Sequence, residues 1–220
     1  MAKKSKRSNG NGKSGVQHVL NVPVEFGGIS IGNRTFTDPQ DLGRVTLTTV
    51  LAKSSNVGAA RVALTLEPRT ISDVLTRFGI GRLTDSAFPG ESPGALTDPK
   101  HWSTVGQATL SYGYGVAVTT LQLARAYAAI AADGVLRPVS MLQLDEAQPG
   151  QRVISADTAG DLTSMLEAVV SKDGTGYRAA VRNYHVAGKT GTTQKAGVGG
   201  YDDDRHGAVF AGFAPASDPR

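Results

Sequence analysis

Apolar and polar residues follow two different periods along this chain, and the switches between them mark its elements. Ile29-Ser-Ile-Gly-Asn-Arg-Thr-Phe36 alternates on either side of Gly32-Asn33, both tolerant of positive φ, which predicts a small hairpin. Thr46 stands as a cap before a helix through Leu47, Val50 and Leu51, and a second helical run from Val57 through Leu66 is expected to end at Pro68. Thr70 with Asp73 three residues on has the form of a capping box. Ile71, Val74, Leu75 and Phe78 then fall at i, i+3, i+4 and i+7 before Gly79, the clearest amphipathic pattern in the chain. Residues 88–103, with Pro89, Pro93 and Pro99 among Gly, Ser and Asp, read as a long surface loop.

The second half repeats the same grammar. Thr120 to Ala132 is an alanine-rich helix with Leu121, Ala124, Tyr127, Ala128 and Ala131 on one stripe and Asp133-Gly134 as its stop; its small residues suit an interior helix. Ser155 caps a further helix in which Leu162, Met165, Leu166, Val169 and Val170 share a face, and Gly174-Thr175-Gly176 breaks the chain after it. Tyr184 to Thr193 and Gly207 to Phe213 read as two strands joined by a polar, Gly-rich excursion that contains Asp202, Asp203 and Asp204. Helices first and paired strands last predict an α+β fold, an antiparallel sheet packed with helices, and no internal repeat is visible.

Composition narrows the classes. With 40% hydrophobic and 19% charged residues over 220 positions the chain is globular in type and of one-domain size, and no run approaches the roughly eighteen apolar residues of a membrane span. The absence of cysteine excludes disulfides, thiolate zinc sites, iron–sulfur clusters and cysteine nucleophiles. The net charge of +4 is local: Lys3, Lys4, Lys6, Arg7 and Lys13 account for five of 23 basic residues, and without them 18 basic face 19 acidic, a body of charge −1. Residues 1–18 are therefore expected to be a disordered basic leader and residues 19–220 the folded domain, with nucleic acid not expected as a partner. The leader is no signal peptide, since no apolar run follows its positive stretch. Nor is Gly10-Asn-Gly-Lys-Ser14 a phosphate loop, because Arg7 occupies the position of the required first glycine.

Two short segments carry chemistry. Ser54-Ser55-Asn56 lies between two helical runs, so a turn can present a hydroxyl and an amide to a cleft; the plain alternative is a helix cap. Lys189-Thr190-Gly191-Thr192 lies on a strand, where alternation puts Lys189 and Gly191 on one face and both threonine hydroxyls on the other unless the strand twists. A lysine there can hold a proton or an anion. Glycine at 191 would leave room for an extended peptide along the strand; the plain alternative is an exposed strand end. No metal site is expected, because His18, His101, His185 and His206 lie apart; His206 beside Asp202 to Asp204 reads as a solvated turn rather than a cation site.

In this order, 135 residues apart, the two motifs match the second and third motifs of the penicillin-recognising serine acyltransferases. Lys53-Ser-Ser-Asn-Val-Gly58, Phe88-Pro-Gly-Glu-Ser92, Thr109-Leu-Ser-Tyr-Gly-Tyr-Gly115, Thr120-Leu-Gln-Leu-Ala124 and Ala187-Gly-Lys-Thr-Gly-Thr192 widen the resemblance. Together they resemble the transpeptidase domain of class B penicillin-binding proteins, nearest to the division-specific peptidoglycan D,D-transpeptidases, over Val19 to Arg220. The resemblance implies a partial transpeptidase fold of the beta-lactamase type and an enzyme that cross-links peptidoglycan stem peptides during septal wall synthesis. It further implies binding of beta-lactams, cell-division proteins as partners, no cofactor, and work at the periplasmic face of the inner membrane. By the same resemblance Ser54 shuttles a proton, Asn56 binds the substrate amide, and Lys189 supports Ser54 and attracts the substrate carboxylate. Thr190 and Thr192 hydroxyls bind that carboxylate along the Gly191 backbone, and the Thr192 N–H is one oxyanion donor.

The chain departs from the pattern at its start. The family's Ser-x-x-Lys should lie about fifty residues before Ser54, yet Ser5, Ser8 and Ser14 are followed at +3 by Ser8, Asn11 and Gln17. At the other end Ala214 to Arg220 stands where the family continues into another strand and a closing helix. The expectation is a domain truncated at both ends, with no nucleophile, no membrane anchor and no covalent catalysis of its own. A serine D,D-carboxypeptidase, a beta-lactamase relative, or a non-catalytic module that binds peptidoglycan or division partners are the alternatives. Loss of a central helix is further expected to leave apolar faces uncovered, the alanine-rich stripe among them.

Overall fold

The computed structural model describes residues 24–219 apart from 26, 27, 42, 147, 198 and 199. The expected boundary between residues 18 and 19 lies outside the described residues. Among those described the chain forms six α-helices and five antiparallel strand pairs. The strands are β1 (Val24–Glu25), β2 (Ile29–Ile31), β3 (Arg34–Phe36), β4 (Arg44–Val45), β5 (Ala95–Leu96), β6 (Val116–Ala117), β7 (Val135–Leu136), β8 (Gln151–Arg152), β9 (Ala187–Gly197) and β10 (Gly200–Phe213). They pair as β1 with β4, β2 with β3, β5 with β6, β7 with β8 and β9 with β10. The helices are α1 (Leu47–Ala52), α2 (Asn56–Leu64), α3 (Pro68–Arg77), α4 (Thr104–Leu110), α5 (Thr120–Ala131) and α6 (Ala156–Val170).

Local signals explain most of these starts and stops. Gly32 takes φ +58° in the β2–β3 turn, as the alternation requires. Thr46 and Ser155 accept the Thr49 and Thr158 N–H groups as the caps of α1 and α6. Gly79, at φ +86°, follows the last turn of α3 in the left-handed region that closes helices.

Four expectations are corrected. Pro68 does not end α2, which stops at Leu64. It opens α3 at the position where a missing N–H costs nothing, and Thr70 lies inside that helix, which has no side-chain cap. The terminal strands do not begin at Tyr184 and Gly207; β9 and β10 form one long hairpin through residues 200–206, with a register shift between Asp202 and His206. Within residues 88–103, β5 and a 3₁₀ turn at Pro99–His101 break up the expected loop.

The fourth correction concerns α5. Its fully buried residues are Gln122 and Ala129, whereas Leu121, Ala124 and Ala128 on the alanine-rich stripe are exposed. Part of that stripe faces β10 across an open groove of about 460 Å³, lined by Tyr127, Ala131, Val209 and Phe213 among others. The helix is held from its other side. Gln122 Nε2 donates to the carbonyls of Arg82 (2.6 Å) and Pro93 (2.8 Å), and its Oε1 accepts from the Thr119 N–H (2.9 Å).

Packing places the site-bearing elements. Ile31, Ala60 and Ala108 form one core cluster with Ile29, Phe36, Leu64, Val105 and Tyr112 around it, so α2 and α4 lie on the β2–β3 hairpin. Gln107 on α4 donates to the Ala63 and Leu66 carbonyls (2.9 and 2.7 Å), which fixes α4 against the end of α2. Met165, Leu166, Val169 and Val170 are the buried face of α6, which packs on both α1 and β9. Through α6, the turn after α1 and the start of β9 are brought to the same place.

Candidate active-site cleft

The chain passes from α1 to α2 in three residues, and each has a different task. The Ser54 N–H donates to Leu51 O (3.1 Å) and the Ser55 N–H to Val50 O (2.9 Å), the paired closure of a helix that ends in a left-handed residue. That residue is Ser54, at φ +55°, where glycine is usual and a side chain costs about 1 kcal/mol. The strained backbone turns the Ser54 hydroxyl outward while Ser55 is buried and Asn56 exposed.

Ser55 caps α2: its Oγ accepts the Gly58 N–H (2.7 Å) and donates to the Asp38 carboxylate. Asp38 Oδ1 also accepts the N–H groups of Asn56 (2.8 Å) and Val57 (3.2 Å), so a carboxylate sits on the positive end of the helix. Asp38→Ala is expected to lose about 2 kcal/mol of stability and to speed amide exchange at Asn56 and Val57, with Asp38→Asn recovering most of both because one acceptor oxygen remains. Urea unfolding with hydrogen exchange checks this, and wild-type values in the alanine variant would refute the capping role.

Opposite the turn lies β9. Lys189 Nζ donates to Ser54 Oγ (2.9 Å) and to Thr190 O (2.9 Å), and the hydroxyls of Thr175 and Thr190 lie 3.1 Å apart. Burial pushes the Lys189 ammonium below the ordinary lysine range. The segment after α6 is tied to α1 twice, by the Thr175 N–H on Ala52 O (3.0 Å) and by Lys53 Nζ on Asp173 O (2.7 Å).

These residues rim a cleft of about 710 Å³ that contains Ser54, Asn56, Lys189, Thr190, Gly191 and Thr192. Lys189 and Gly191 pair across the hairpin with Ala211 and Val209, and Thr190 and Thr192 with Phe210 and Ala208, which is the expected alternation. All four nonetheless reach the cleft, because it lies along the edge of β9 away from β10 rather than over one face. A Cβ at Gly191 would approach Val209 Cγ1 to 2.9 Å, so the glycine relieves a contact inside the hairpin.

Sequence reading missed several lining residues. Ser111 and Tyr112 follow α4 and line the same cleft; they stand in the Ser-Tyr-Gly-Tyr-Gly segment, which had drawn attention without a role. Burial, and less so Tyr114, raises the Tyr112 phenol above its ordinary range. Thr175 sits in the Gly-Thr-Gly break, where its sequence context gave only a chain stop. Asp38 had no signal, since its partners lie 17 to 19 residues further on. Elsewhere, hydrogen bonds from Thr84, then Ser86, hold the Glu91 carboxyl below its ordinary range and brace residues 84–91. Among the described residues no three His, Asp or Glu side chains gather as a metal site. The side chains of His206 and Asp202 to Asp204 lie outside those described.

The chemistry available is that of an anion and proton site. A half-buried ammonium flanked by two threonines can bind a carboxylate, and a serine hydroxyl held by that ammonium can pass a proton. The model of the penicillin binding protein transpeptidase domain family matches residues 22–220. The peptidoglycan D,D-transpeptidase FtsI of Escherichia coli is 40% identical over 203 residues, 92% of this chain and 34% of that protein. The penicillin-binding protein PbpB of Mycolicibacterium smegmatis is 40% identical over 96% of this chain and 35% of its own length. The chain thus spans about a third of these relatives. The apo transpeptidase domain of Burkholderia pseudomallei penicillin-binding protein 3 superposes with a TM-score of 0.87 at 42% identity, covering 93% of this chain and 63% of that one. Similarity of this extent, over the hairpin and helices that bring Lys189 to Ser54, places the chain in the penicillin-binding protein transpeptidase family, among the members of class B.

Proposed function

We propose that this domain binds the D-Ala-D-Ala end of peptidoglycan stem peptides, and the beta-lactams that imitate it, in the cleft between Ser54 and β9. The observation that carries the reading is the 2.9 Å contact of Lys189 Nζ with Ser54 Oγ across 135 residues. In this role Lys189, Thr190 and Thr192 take the terminal carboxylate, Asn56 takes the substrate amide, and the Thr192 N–H faces the developing oxyanion, a donor worth about 10²–10³ in rate. Ser54 relays the proton between the attacking hydroxyl and the leaving D-alanine amine. Relatives named as peptidoglycan D,D-transpeptidases support cross-linking of stem peptides as the reaction. Septal wall synthesis at the periplasmic face of the inner membrane, with cell-division proteins as partners, is the setting this implies. Residues 1–18 would be a leader outside the domain of residues 19–220.

These 220 residues contain no Ser-x-x-Lys, so the acyl-accepting hydroxyl has to come from outside them. The chain is therefore expected to bind without being acylated. Incubation with a reporter beta-lactam should leave the intact mass unchanged, while an acyl-D-Ala-D-Ala peptide should titrate saturably and Lys189→Ala should abolish that binding. A stoichiometric adduct on a serine would overturn the non-acylating reading; no peptide binding by the folded wild type would overturn the cleft itself.

Lys189 also gives opposite trends with pH. The unfolded chain keeps this proton into the ordinary lysine range and the fold gives it up earlier, so between the two pKa values the unfolded state binds more protons and stability rises with pH. Peptide binding should fall across the same window as the ammonium is lost. Parallel melting and titration curves from neutral to alkaline pH check both signs, with Lys189→Met as the variant in which both trends should flatten.

A further inference from the structure

Two exposed surfaces of this chain are opposite in charge and alike in apolar character. The first is the excursion from β7 to β8. Its Met141, Leu142 and Leu144 side chains are 64%, 78% and 43% exposed, three large apolar groups within four residues. Asp145 and Glu146 follow them, both exposed, and from Pro138 to Gln151 the sequence has no Lys, Arg or His. Its own hydrogen bonds hold the excursion in shape. Ser140 Oγ donates to Leu142 O (2.7 Å) and accepts the Leu142 N–H (3.1 Å). Arg137 Nη1 donates to Gln148 O (3.1 Å), and Arg125 Nε on α5 donates to Arg137 O (2.8 Å). A backbone tied in this way loses less freedom on binding.

The second surface lies between α6 and β9. Tyr177, Val181 and Tyr184 are each more than half exposed, again three large side chains within eight residues. From Gly174 to Tyr201 the sequence has no Asp or Glu, and Arg178 and Arg182 stand exposed beside those side chains. Arg178 Nε donates to Tyr177 Oη (3.1 Å), with its guanidinium 5.7 Å from the ring centroid. The Gly176 N–H on Val169 O (2.9 Å), the Tyr184 N–H on Val181 O (3.1 Å) and the Ala216 N–H on His185 O (2.8 Å) fix this segment too. The neighbouring acid, Glu167, is taken by His185 at 3.1 Å. Among the described residues Asp145, Glu146, Arg178 and Arg182 form no ion pair.

We propose that these two surfaces dock on each other between two copies of this chain, residues 141–146 of one copy on residues 177–184 of a second. Apolar side chains from both sides leave water together, while two carboxylates meet two guanidinium groups at the edge of the apolar contact. A net charge of +4 over 220 residues puts only weak repulsion between copies. The patch is small, which places the contact with the weak, concentration-dependent interfaces rather than with permanent dimers. An anionic lipid surface fits the excursion less well, because Asp145 and Glu146 would face its headgroups. The contact does not depend on what the cleft binds.

Sedimentation equilibrium of the full chain from about 10 μM to about 1 mM should show an average mass that rises with concentration at low salt, and added salt should reduce the rise. Asp145→Lys with Glu146→Lys leaves two basic surfaces, and Arg178→Glu with Arg182→Glu leaves two acidic ones. Each double variant alone should associate at least about tenfold more weakly, with unchanged melting. An equimolar mixture of the two should recover the wild-type association, since each surface again meets its opposite. Leu142→Ser should weaken the wild-type association and leave its salt dependence in place. A chain that stays monomeric over the whole range, or a mixture no better than either double variant alone, would overturn the proposal. Undiminished association of both double variants would overturn it as well, and would move the contact to another face such as the groove between α5 and β10.

Discussion

Gly174→Ala is expected to destabilise the fold by about 4 kcal/mol, more than an ordinary surface substitution by far. A Cβ at this position would stand 2.0 Å from Val169 O and 2.6 Å from Ala168 O, atoms of the backbone that ends α6. No rotamer change relieves such a contact, so the turn itself has to open. The Gly174 N–H on Ser171 O and the Gly176 N–H on Val169 O, each 2.9 Å, would go with it. The effect reaches the cleft, because the next residue is Thr175, whose N–H holds Ala52 O and whose hydroxyl meets Thr190. Gly160→Ala on the same helix is the control. A Cβ there meets nothing within 4 Å, and alanine in a helix interior should stabilise by up to about 1 kcal/mol. Urea unfolding of both variants decides the matter: a Gly174→Ala midpoint equal to wild type would show that the turn adjusts freely.

Gln122→Leu is expected to cost about 3–5 kcal/mol, although leucine is of similar size and the position is 1% exposed. The amide satisfies the Arg82 and Pro93 carbonyls and the Thr119 N–H in one buried place. Leucine leaves those groups without partners and releases the loop between α3 and β5 from the start of α5. Gln122→Glu separates hydrogen bonding from shape. Its second oxygen would face carbonyl oxygens, which raises the folded-state pKa of the glutamate above its unfolded value. The folded state then binds more protons through that range, and the variant should recover stability as pH falls from 7 toward 5. Denaturation at both pH values measures the recovery, and a Glu variant as stable at pH 7 as at pH 5 would contradict the buried geometry.

Much of the architecture was legible because it is written in contacts a few residues apart. Thr46 and Ser155 cap their helices through the amide three residues on, and the buried face of α6 follows the 3.6-residue period. The β2–β3 turn needed only Gly32. Pro68 was read in the wrong sense because proline ends one helix and opens the next with equal ease, and the choice depends on what precedes it in space. The polar Asp202 to Asp204 run reads as a loop; β10 is continuous across it, pairing with β9 at Asp202 and again from His206 after a shift in register that a single sequence does not display.

The cleft divides in the same way. Ser54-Ser55-Asn56 and Lys189-Thr190-Gly191-Thr192 are recognisable as strings because their residue types are chemical and their spacing specific, so the sequence alone determined the family and the candidate residues. Their meeting is tertiary: Lys189 Nζ reaches Ser54 only because α6 packs on α1 and β9 together. The same holds for Asp38, Thr175 and Tyr112. Capping and periodicity act within one helical turn and leave a trace in the string. Burial and side-chain partnership across tens of residues depend on which surfaces come together, and only the packed structure decides that.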